Sequence, residues 1–407
     1  MIYASVHAVS FRQAEKDLAK LSDLKVGYRQ LQRWSERIGK ERIAQRTEEV
    51  EQWSGLSLPE MTRGYPTAKA PEAVMVSMDG GRLQIREGSS DVEDSPDEIT
   101  SAPLCDEDRE SNSSFWKESK IGCLATLQSE VHPTDPCPEI PANFLDPPRI
   151  LKLSREICRN APQDNPPRKA EPPSERKELE RHRQSPQVLV KSVIATKLPY
   201  AVFGLLLATA AWMRGFAAAG RKAFVADGAK INWKIWRQHF SHYTPILDFI
   251  HAISRVFAAA MAGRAFADGW PVYCRWAQWL WSGQVGKILV ELASRSRELG
   301  EPQKNDSATC PRRIVADALT YLRNNQDYMK YDAYRRNGLP MTSSLMESTV
   351  KQVSRRVKGT EKFWSTHGAD PILQLRADYI SDTEPMAKFW ESWQRSATGH
   401  RPYATAV

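Results

Sequence analysis

The order of apolar segments along this 407-residue chain predicts an α/β fold. Two short apolar runs, VMVSMDGG at 74–81 and KAFVADGA at 222–229, have the length of buried strands, and each ends in Asp-Gly. Segments with helical periodicity separate such runs, and a Trp-rich helical region follows at 265–330. We therefore expect an α/β core with an all-helical insertion.

The first 40 residues predict two short helices separated by a turn, because each half of 11–40 carries an apolar stripe at helical spacing. The second helix has Arg29, Arg33 and Arg37 on its polar side. Such a unit is typical of a helix-turn-helix that lays a basic helix against DNA. A helical hairpin with a solvated, charged face explains the same pattern equally well.

The next segments predict strands and loops. Residues 73–87 predict a strand, a tight Asp-Gly-Gly turn and a second strand, and residues 115–127 predict a further strand. The acidic, Ser-rich segment 89–114 predicts a flexible loop. Residues 131–190 are rich in Pro and charge, so we expect most of this segment to be a partly disordered insertion outside the core.

From Leu189 onward the pattern predicts compact structure again. We expect a helix at about 199–219, a strand at 222–227, a helix at 230–240, a strand at 244–249, a helix from about 251, and a last helix after Pro340. The stretch 198–213 is nearly uncharged, but it is shorter than the ~20 residues that cross a bilayer. A buried core helix is therefore favoured over a membrane span.

Composition indicates a polyanionic partner. The chain has 57 Lys and Arg against 49 Asp and Glu, a formal charge of +8, and neutralised phosphates release counterions that drive binding. Its six cysteines show no C-x-x-C spacing. This argues against a zinc site and a disulfide framework, and it fits a reducing cytoplasm.

Two acidic residues are placed where metal chemistry is possible. Asp79 and Asp227 each end an apolar strand, and carboxylates at the ends of neighbouring strands can converge. Such oxygens suit Mg²⁺, and a pair of ions can activate an attacking oxygen and stabilise a leaving one. Taken singly, each Asp-Gly is more simply explained as a turn.

Glu347 and His251 have equally plausible structural explanations. Ser344 and Glu347 fit a capping box, in which the two side chains satisfy free amides at a helix start, and locally this explanation is favoured. Asp248 and His251 form a D-x-x-H pattern, in which the His could contact a phosphate or orient a strand. Alternatively, Asp248 ends a strand and His251 caps a helix.

An ordered set of motifs resembles the DDE-type transposases of bacterial insertion sequences, specifically the ISKra-type group related to Mutator-like transposases. The motifs are MDGGR (78–82), WKESKIG (116–122), VADGA (225–229), ILDFIHA (246–252), YLRNN (321–325), YRRNGLPMTSSLMES (334–348), KGT-x-x-FW (358–364) and ILQLRA (372–377). The family tends to have Gly-Ser-Gly where this chain has 342–344, so we expect a different approach to the helix of Glu347.

The resemblance implies an RNase H-like core with an α-helical insertion and an N-terminal helix-turn-helix-like unit. It implies that Asp79, Asp227 and Glu347 are the three acids, holding two Mg²⁺ (or Mn²⁺) ions, with His251 beside them. The implied reaction is metal-dependent cleavage and strand transfer at insertion-sequence ends, by in-line phosphoryl transfer.

The implied partner is double-stranded DNA, both element ends and target, bound by a homo-oligomer in the cytoplasm, at the nucleoid, without a membrane. Besides the three N-terminal arginines, the basic residues that follow Glu347 on its helix are expected to contact DNA phosphates. They are Lys351, Arg355, Arg356 and Lys358. A merely solvated face is the alternative.

The resemblance also divides the chain into units. They are a DNA-binding unit (1–65), the first part of the core (70–130), the Pro-rich insertion (131–190), the second part of the core (191–264), the Trp-rich insertion (265–334), the final part of the core (335–385) and a tail (386–407). Two other functions fit the sequence: a catalytically decayed, transposase-derived DNA-binding protein, and an RNase H-like nuclease without strand transfer.

Overall fold

A mixed sheet organises the chain, which is an α/β protein. The computed structural model describes residues 1–66, 68–86, 115–158, 186–359 and 361–395. The strands are β1 (Ala73–Ile85), β2 (Trp116–Gln128), β3 (Gln187–Thr196), β4 (Arg221–Ala226), β5 (Thr244–Leu247) and β6 (Phe363–Trp364). Their order is β3-β2-β1-β4-β5, and β6 pairs with the end of β1.

The sheet is antiparallel on one side of β1 and parallel on the other. β1 pairs antiparallel with β2 and β2 with β3, whereas β4 runs parallel to β1 and β5 parallel to β4. The first six residues of β1 are all buried, as expected of a central strand covered on both faces. The parallel half requires crossover connections, and helices supply them.

Helices cover the sheet and continue beyond it. They are α1 (Ile2–His7), α2 (Phe11–Ser22), α3 (Tyr28–Ser54), α4 (Leu58–Arg63), α5 (Pro147–Ile157), α6 (Tyr200–Met213), α7 (Lys230–His239), α8 (Phe249–Met261), α9 (Phe266–Trp281), α10 (Val285–Leu299), α11 (Pro311–Asn324), α12 (Tyr331–Arg336), α13 (Ser344–Val357), α14 (Ala369–Tyr379) and α15 (Pro385–Arg395). The predicted helical region is thus made mainly of α9, α10 and α11.

The predicted Asp-Gly-Gly turn in residues 73–87 is wrong. β1 continues through these residues, and its ladder with β2 extends from Ala73 to Gln84. A Cβ atom on Gly81 would lie 2.7 Å from Ser119 Oγ and 3.3 Å from Ile121 Cδ1. The glycine therefore serves the close approach of β2, and the local turn preference is overridden by the ladder.

The two predicted N-terminal helices are confirmed as α2 and α3, although α3 is longer than expected. Asp23, with φ of 56°, ends α2 in the left-handed conformation. α3 then packs against α14, where a Cβ on Gly39 would lie 2.5 Å from the Pro371 carbonyl oxygen. The basic helix is therefore attached to the body of the protein through its middle.

Part of the Pro-rich segment belongs to the core, which differs from the prediction. α5 packs against α8, with Ile150 and Leu151 buried, and Ser154 Oγ donates to the Ser254 carbonyl at 3.3 Å. β3 begins at Gln187 and was not predicted as a strand. Residues 159–185, and the acidic segment up to residue 114, lie outside the described residues.

The apolar stretch near residue 200 forms a core helix, as predicted. α6 packs on β2, where Phe203 and Leu207 are fully buried against the backbone of Gly122. Among the described residues, no helix is both long and apolar enough to span a bilayer. The tryptophans of α9 also serve packing, since Trp276 and Trp281 are buried.

Candidate functional site

Three aspartates lie at the same level on three adjacent parallel strands: Asp79 lies within β1, whereas Asp227 and Asp248 directly follow β4 and β5. The register pairs Ser77 of β1 with Val225 of β4, so two residues further on Asp79 comes beside Asp227. It also pairs Ala226 with Leu247, which brings Asp227 beside Asp248. Neighbouring strands are ~4.8 Å apart, and residues in register on parallel strands point to the same face. The parallel half of the sheet thus gathers these three carboxylates at one edge.

Asp79 carries a negative charge that its surroundings scarcely compensate. Its Oδ1 accepts a hydrogen bond from the Gly80 amide at 2.7 Å. Burial raises the pKa of Asp79 to about 6, against that hydrogen bond, and the charges of Asp227 and Asp248 also raise it. The nearby His251 acts in the opposite direction. The carboxylate is therefore destabilised in its ionised form, which is a common property of functional sites.

Asp227 is held where β4 turns into α7. Its Oδ1 accepts hydrogen bonds from the Ala229 amide at 2.9 Å and from Asn232 Nδ2 at 2.7 Å. Its carbonyl accepts from the Tyr321 hydroxyl at 2.6 Å. Gly228 has φ of +92°, and a Cβ there would lie 2.9 Å from the Tyr321 ring. Both the turn and the neighbouring tyrosine therefore require glycine.

Asp248 is a structural anchor with both oxygens engaged. Oδ1 accepts from the Ile250 amide at 2.6 Å and the His251 amide at 3.3 Å, which caps α8. Oδ2 accepts from the Ser343 amide at 2.6 Å and from the Ser343 hydroxyl. Burial opposes ionisation, but His251 and Ser343 outweigh it, and the pKa of Asp248 is lowered. From the sequence, His251 is a candidate for the residue that caps the helix, but the cap is made by Asp248.

The imidazole of His251 lies near Asp248, Asp227 and Asp79. Its Nδ1 lies 3.7 Å from Asp248 Oδ1, too far for a hydrogen bond, and this buried nitrogen makes none with the described residues. Burial lowers the pKa of His251, but Asp248, Asp227 and Asp79 together raise it above its ordinary value. An imidazolium in this position could contact a phosphate that approaches the carboxylates.

Glu347 lies in the first turn of α13, which packs on β1 and β2. Ser343 precedes the helix at the N-cap position, but its side chain is bonded to Asp248 and makes no capping hydrogen bond, and Ser344 is already helical, so the predicted capping box with Ser344 is wrong. Toward the described part of the chain, the Glu347 carboxylate makes neither a hydrogen bond nor an ion pair. It lines an open groove together with Ser344, Ser348, Lys351, Gln352 and Arg355.

The structure thus brings Asp79, Asp227, Asp248 and His251 together. The groove that Glu347 lines includes none of these four residues among those described, and the helix of Glu347 is linked to Asp248 through Ser343. Within the described ranges, no three His, Cys, Asp or Glu side chains are close enough to form a ready metal site. The chemistry of Asp79 and Asp227 nevertheless fits Mg²⁺, because both are hard oxygen donors. Burial, and to a smaller extent the charge of Asp227, raises the pKa of Asp79, and a cation would stabilise the ionised carboxylate against both effects.

Of the residues predicted to contact DNA, one is placed differently. Arg356 is only 3% exposed; its Nε donates to the Ser5 carbonyl at 3.1 Å, and its guanidinium lies over the Phe11 and Trp364 rings. It belongs to the packing between α13 and the N-terminal helices, and the interpretation as a DNA contact is wrong. The other predicted contacts are exposed: Arg29, Arg33, Arg37, Lys351, Arg355 and Lys358.

Sequence reasoning missed Tyr200 and Glu118. The Tyr200 hydroxyl donates to Glu118 Oε1 at 2.7 Å, and Lys120 Nζ lies 4.8 Å from the centre of the Tyr200 ring. Burial, then Glu118 and the two nearby aspartates, raise the pKa of Tyr200. The motif WKESKIG contains two of these residues. The register that brings them near Asp79 is a long-range property that the motif does not encode.

No protein-family model and no curated protein matches this sequence.

Proposed function

We propose that the chain is a DDE-type DNA transposase with an RNase H-like core, which cleaves and joins DNA at the ends of an insertion sequence. The strand order β3-β2-β1-β4-β5, antiparallel in its first half and parallel in its second, is the arrangement such a core requires. The motif resemblance supports the same assignment. Assembly of a homo-oligomer on DNA belongs to the proposal, because two element ends must be held together.

The observation that carries the proposal is the alignment of Asp79 with Asp227. Their alignment follows from the register of two parallel strands whose paired residues, such as Ser77 and Val225, are 148 positions apart in the sequence. Burial of Asp79, with a smaller contribution from the charge of Asp227, destabilises the ionised carboxylate, so the pair is better explained by a ligand than by stability. Two simple Asp-Gly turns would not need to share one edge of the sheet.

The residues around the pair have distinct parts in the proposed reaction. A bound Mg²⁺ pair would neutralise the phosphate and activate the attacking oxygen. Asp79, Asp227 and Glu347 would hold the ions, and Asp248 would fix the helix of Glu347 through Ser343. Lys351 and Arg355, one and two turns after Glu347, are placed to bind the flanking phosphates. His251 would contact the reacting phosphate on the side opposite Lys351 and Arg355.

A reaction on labelled duplex DNA tests the proposal. The duplex carries the sequences that flank the coding region, and wild type is compared with Asp227→Asn in Mg²⁺ and in EDTA. We expect wild type in Mg²⁺ to produce nicks that leave a 3′-hydroxyl, and joined products. Wild type in EDTA and Asp227→Asn should produce neither. Asp317→Asn is the matched control, because Asp317 is exposed on α11, far along the chain from the acids.

The products separate the alternatives. Cleavage without joined products would identify a nuclease of the same architecture. DNA binding without any reaction would identify a non-catalytic DNA-binding protein. Equal activity of wild type and Asp227→Asn would contradict the proposed site.

A further inference from the structure

Two aromatic rings are exposed at the end of β1 that lies beyond Asp79. Phe115 is 60% exposed and Phe363 is 43% exposed, and the ring centres are 6.2 Å apart in an edge-to-face arrangement. A large apolar ring on the surface loses the benefit of burial, and two adjacent exposed rings often mark a binding site. We call this pair the aromatic platform.

The backbone holds the aromatic platform in place. The Ile85 amide donates to the Phe115 carbonyl at 2.7 Å, and Phe363 pairs with Gln84 in the parallel ladder of β1 and β6. The next residue, Trp364, is buried and donates from Nε1 to the Val357 carbonyl at the end of α13, at 2.9 Å. Phe363 therefore lies on β6, and Phe115 directly precedes β2 and is bonded to β1.

Positive charge surrounds the aromatic platform. The Arg86 guanidinium lies 5.3 Å from the centre of the Phe363 ring. Lys362 Nζ donates to the Arg355 carbonyl at 3.0 Å, which joins the segment before Phe363 to the last turn of α13. Between residues 351 and 363, four basic residues besides the buried Arg356 are at least partly exposed, and the sequence has one acid there, Glu361. A polyanion is thus favoured over an acidic or neutral protein surface.

A continuous path connects the platform to the candidate site. Glu347, Lys351 and Arg355 are spaced by four residues, so they share one face of α13. From Glu347 to Arg355 the helix rises ~12 Å, which corresponds to about three to four base steps of a DNA strand. Arg355 is in turn connected to the platform, because its carbonyl accepts from Lys362, the residue before Phe363.

We propose that the aromatic platform binds an unpaired base of the DNA substrate, several nucleotides from the reacting phosphate, while Lys351 and Arg355 hold the intervening phosphates. This inference rests on the proposed function, because it assigns the substrate a single-stranded segment next to the cleavage point. Aromatic rings stack on any base face, and a neighbouring guanidinium strengthens such sites. The platform accordingly distinguishes paired from unpaired ends, without reading sequence.

The test compares two DNA probes on the full chain. One is a blunt duplex, and the other is the same duplex with a four-nucleotide single-stranded extension that contains 2-aminopurine. We expect wild type to bind the extended probe at least about fivefold more tightly, and to quench the 2-aminopurine, because stacking contributes on this scale. Phe363→Leu and Phe115→Leu should each reduce this preference and leave blunt-duplex binding unchanged.

Two further variants are the controls. Phe363→Tyr keeps a ring and should keep the preference, and Tyr3→Leu, at a residue 58% exposed on α1, should also keep it. Equal binding of both probes by wild type would overturn the platform and leave the proposed function standing. A loss of affinity in the Phe→Leu variants that affects both probes equally would likewise overturn the platform and leave the proposed function standing. Failure of wild type to bind either probe would contradict the proposed function itself.

Discussion

Asp79 and Asp248 lie at the same level on the parallel half of the sheet, yet their surroundings are opposite. Asp248 is buried with both oxygens bonded, and its pKa is lowered. Asp79 accepts a hydrogen bond from its own neighbouring amide, and its pKa is raised to about 6. The same sequence pattern, an apolar run followed by Asp, thus produces an anchor after β5 and a destabilised carboxylate within β1. The partners that each oxygen finds decide which role results.

Removing the anchor should have the largest effect on stability. We expect Asp248→Ala to lower the free energy of unfolding by about 3–5 kcal/mol, because it leaves the Ser343 and Ile250 donors unpaired in a buried site. Urea denaturation measures this change. Asp317→Ala, at an exposed acid, should stay within about 0.5 kcal/mol of wild type. A loss below about 1 kcal/mol for Asp248→Ala would show that the anchor is not structural.

The destabilised carboxylate should be visible in the pH dependence of stability. Without divalent metal, folded Asp79 holds its proton up to about pH 6, whereas the unfolded chain releases it near the ordinary aspartate pKa of 3.8. The folded state binds more protons in this window, so the free energy of unfolding should fall by about 2–3 kcal/mol as pH rises through it. Asp79→Asn should lack this component.

The pH experiment also separates the two aspartates. Because the pKa of Asp248 is lowered, its contribution is present at neutral pH and is lost only as pH falls below its ordinary range. Urea denaturation at several pH values between 4 and 7 compares wild type with Asp79→Asn. An identical fall in both proteins would assign the pH dependence to other groups. Added Mg²⁺ should stabilise wild type at pH 7 and stabilise Asp79→Asn less.

A smaller contrast divides the two sides of α13. Arg356→Gln should lower stability by about 1–3 kcal/mol, because its guanidinium packs between Phe11 and Trp364. Lys351→Gln should leave stability within about 0.5 kcal/mol, and it should reduce the salt dependence of duplex binding by about one unit of slope. Denaturation and DNA binding at several salt concentrations measure both. If Lys351→Gln lowered stability while Arg356→Gln reduced only the salt dependence of DNA binding, the assignment of the two helix faces would be reversed.

Much of the element order could be predicted, since buried strands and periodic helices leave local patterns. The strand at 222–227 and the helices around residues 200 and 230 are confirmed. β3 was missed because its first half is exposed and follows a Pro-rich, charged segment. The sequence predicts a turn at Gly80 because the Asp-Gly-Gly sequence favours a turn locally. The ladder with β2 outweighs that preference, and a ladder is not a local property.

The site could be predicted as a set of residues, and its geometry could not. Asp79, Asp227 and Glu347 were identified from local patterns and a family resemblance, and their use in catalysis stays a prediction. The register that aligns the two aspartates depends on strand pairing. The contact of Ser343 with Asp248 joins residues 95 positions apart in the sequence. Likewise, the burial of Arg356 depends on the docking of α1 and α2.

The most direct test of the central claim is the DNA reaction of Glu347→Gln. Glu347 is half-buried and unpaired toward the described residues, so the substitution should leave the fold and DNA binding unchanged. We predict that cleavage and joining in Mg²⁺ fall by at least about 100-fold relative to wild type, while Glu301→Gln, at an exposed acid, reacts normally. Wild-type activity in Glu347→Gln would remove this residue from the site and contradict the proposed catalytic triad.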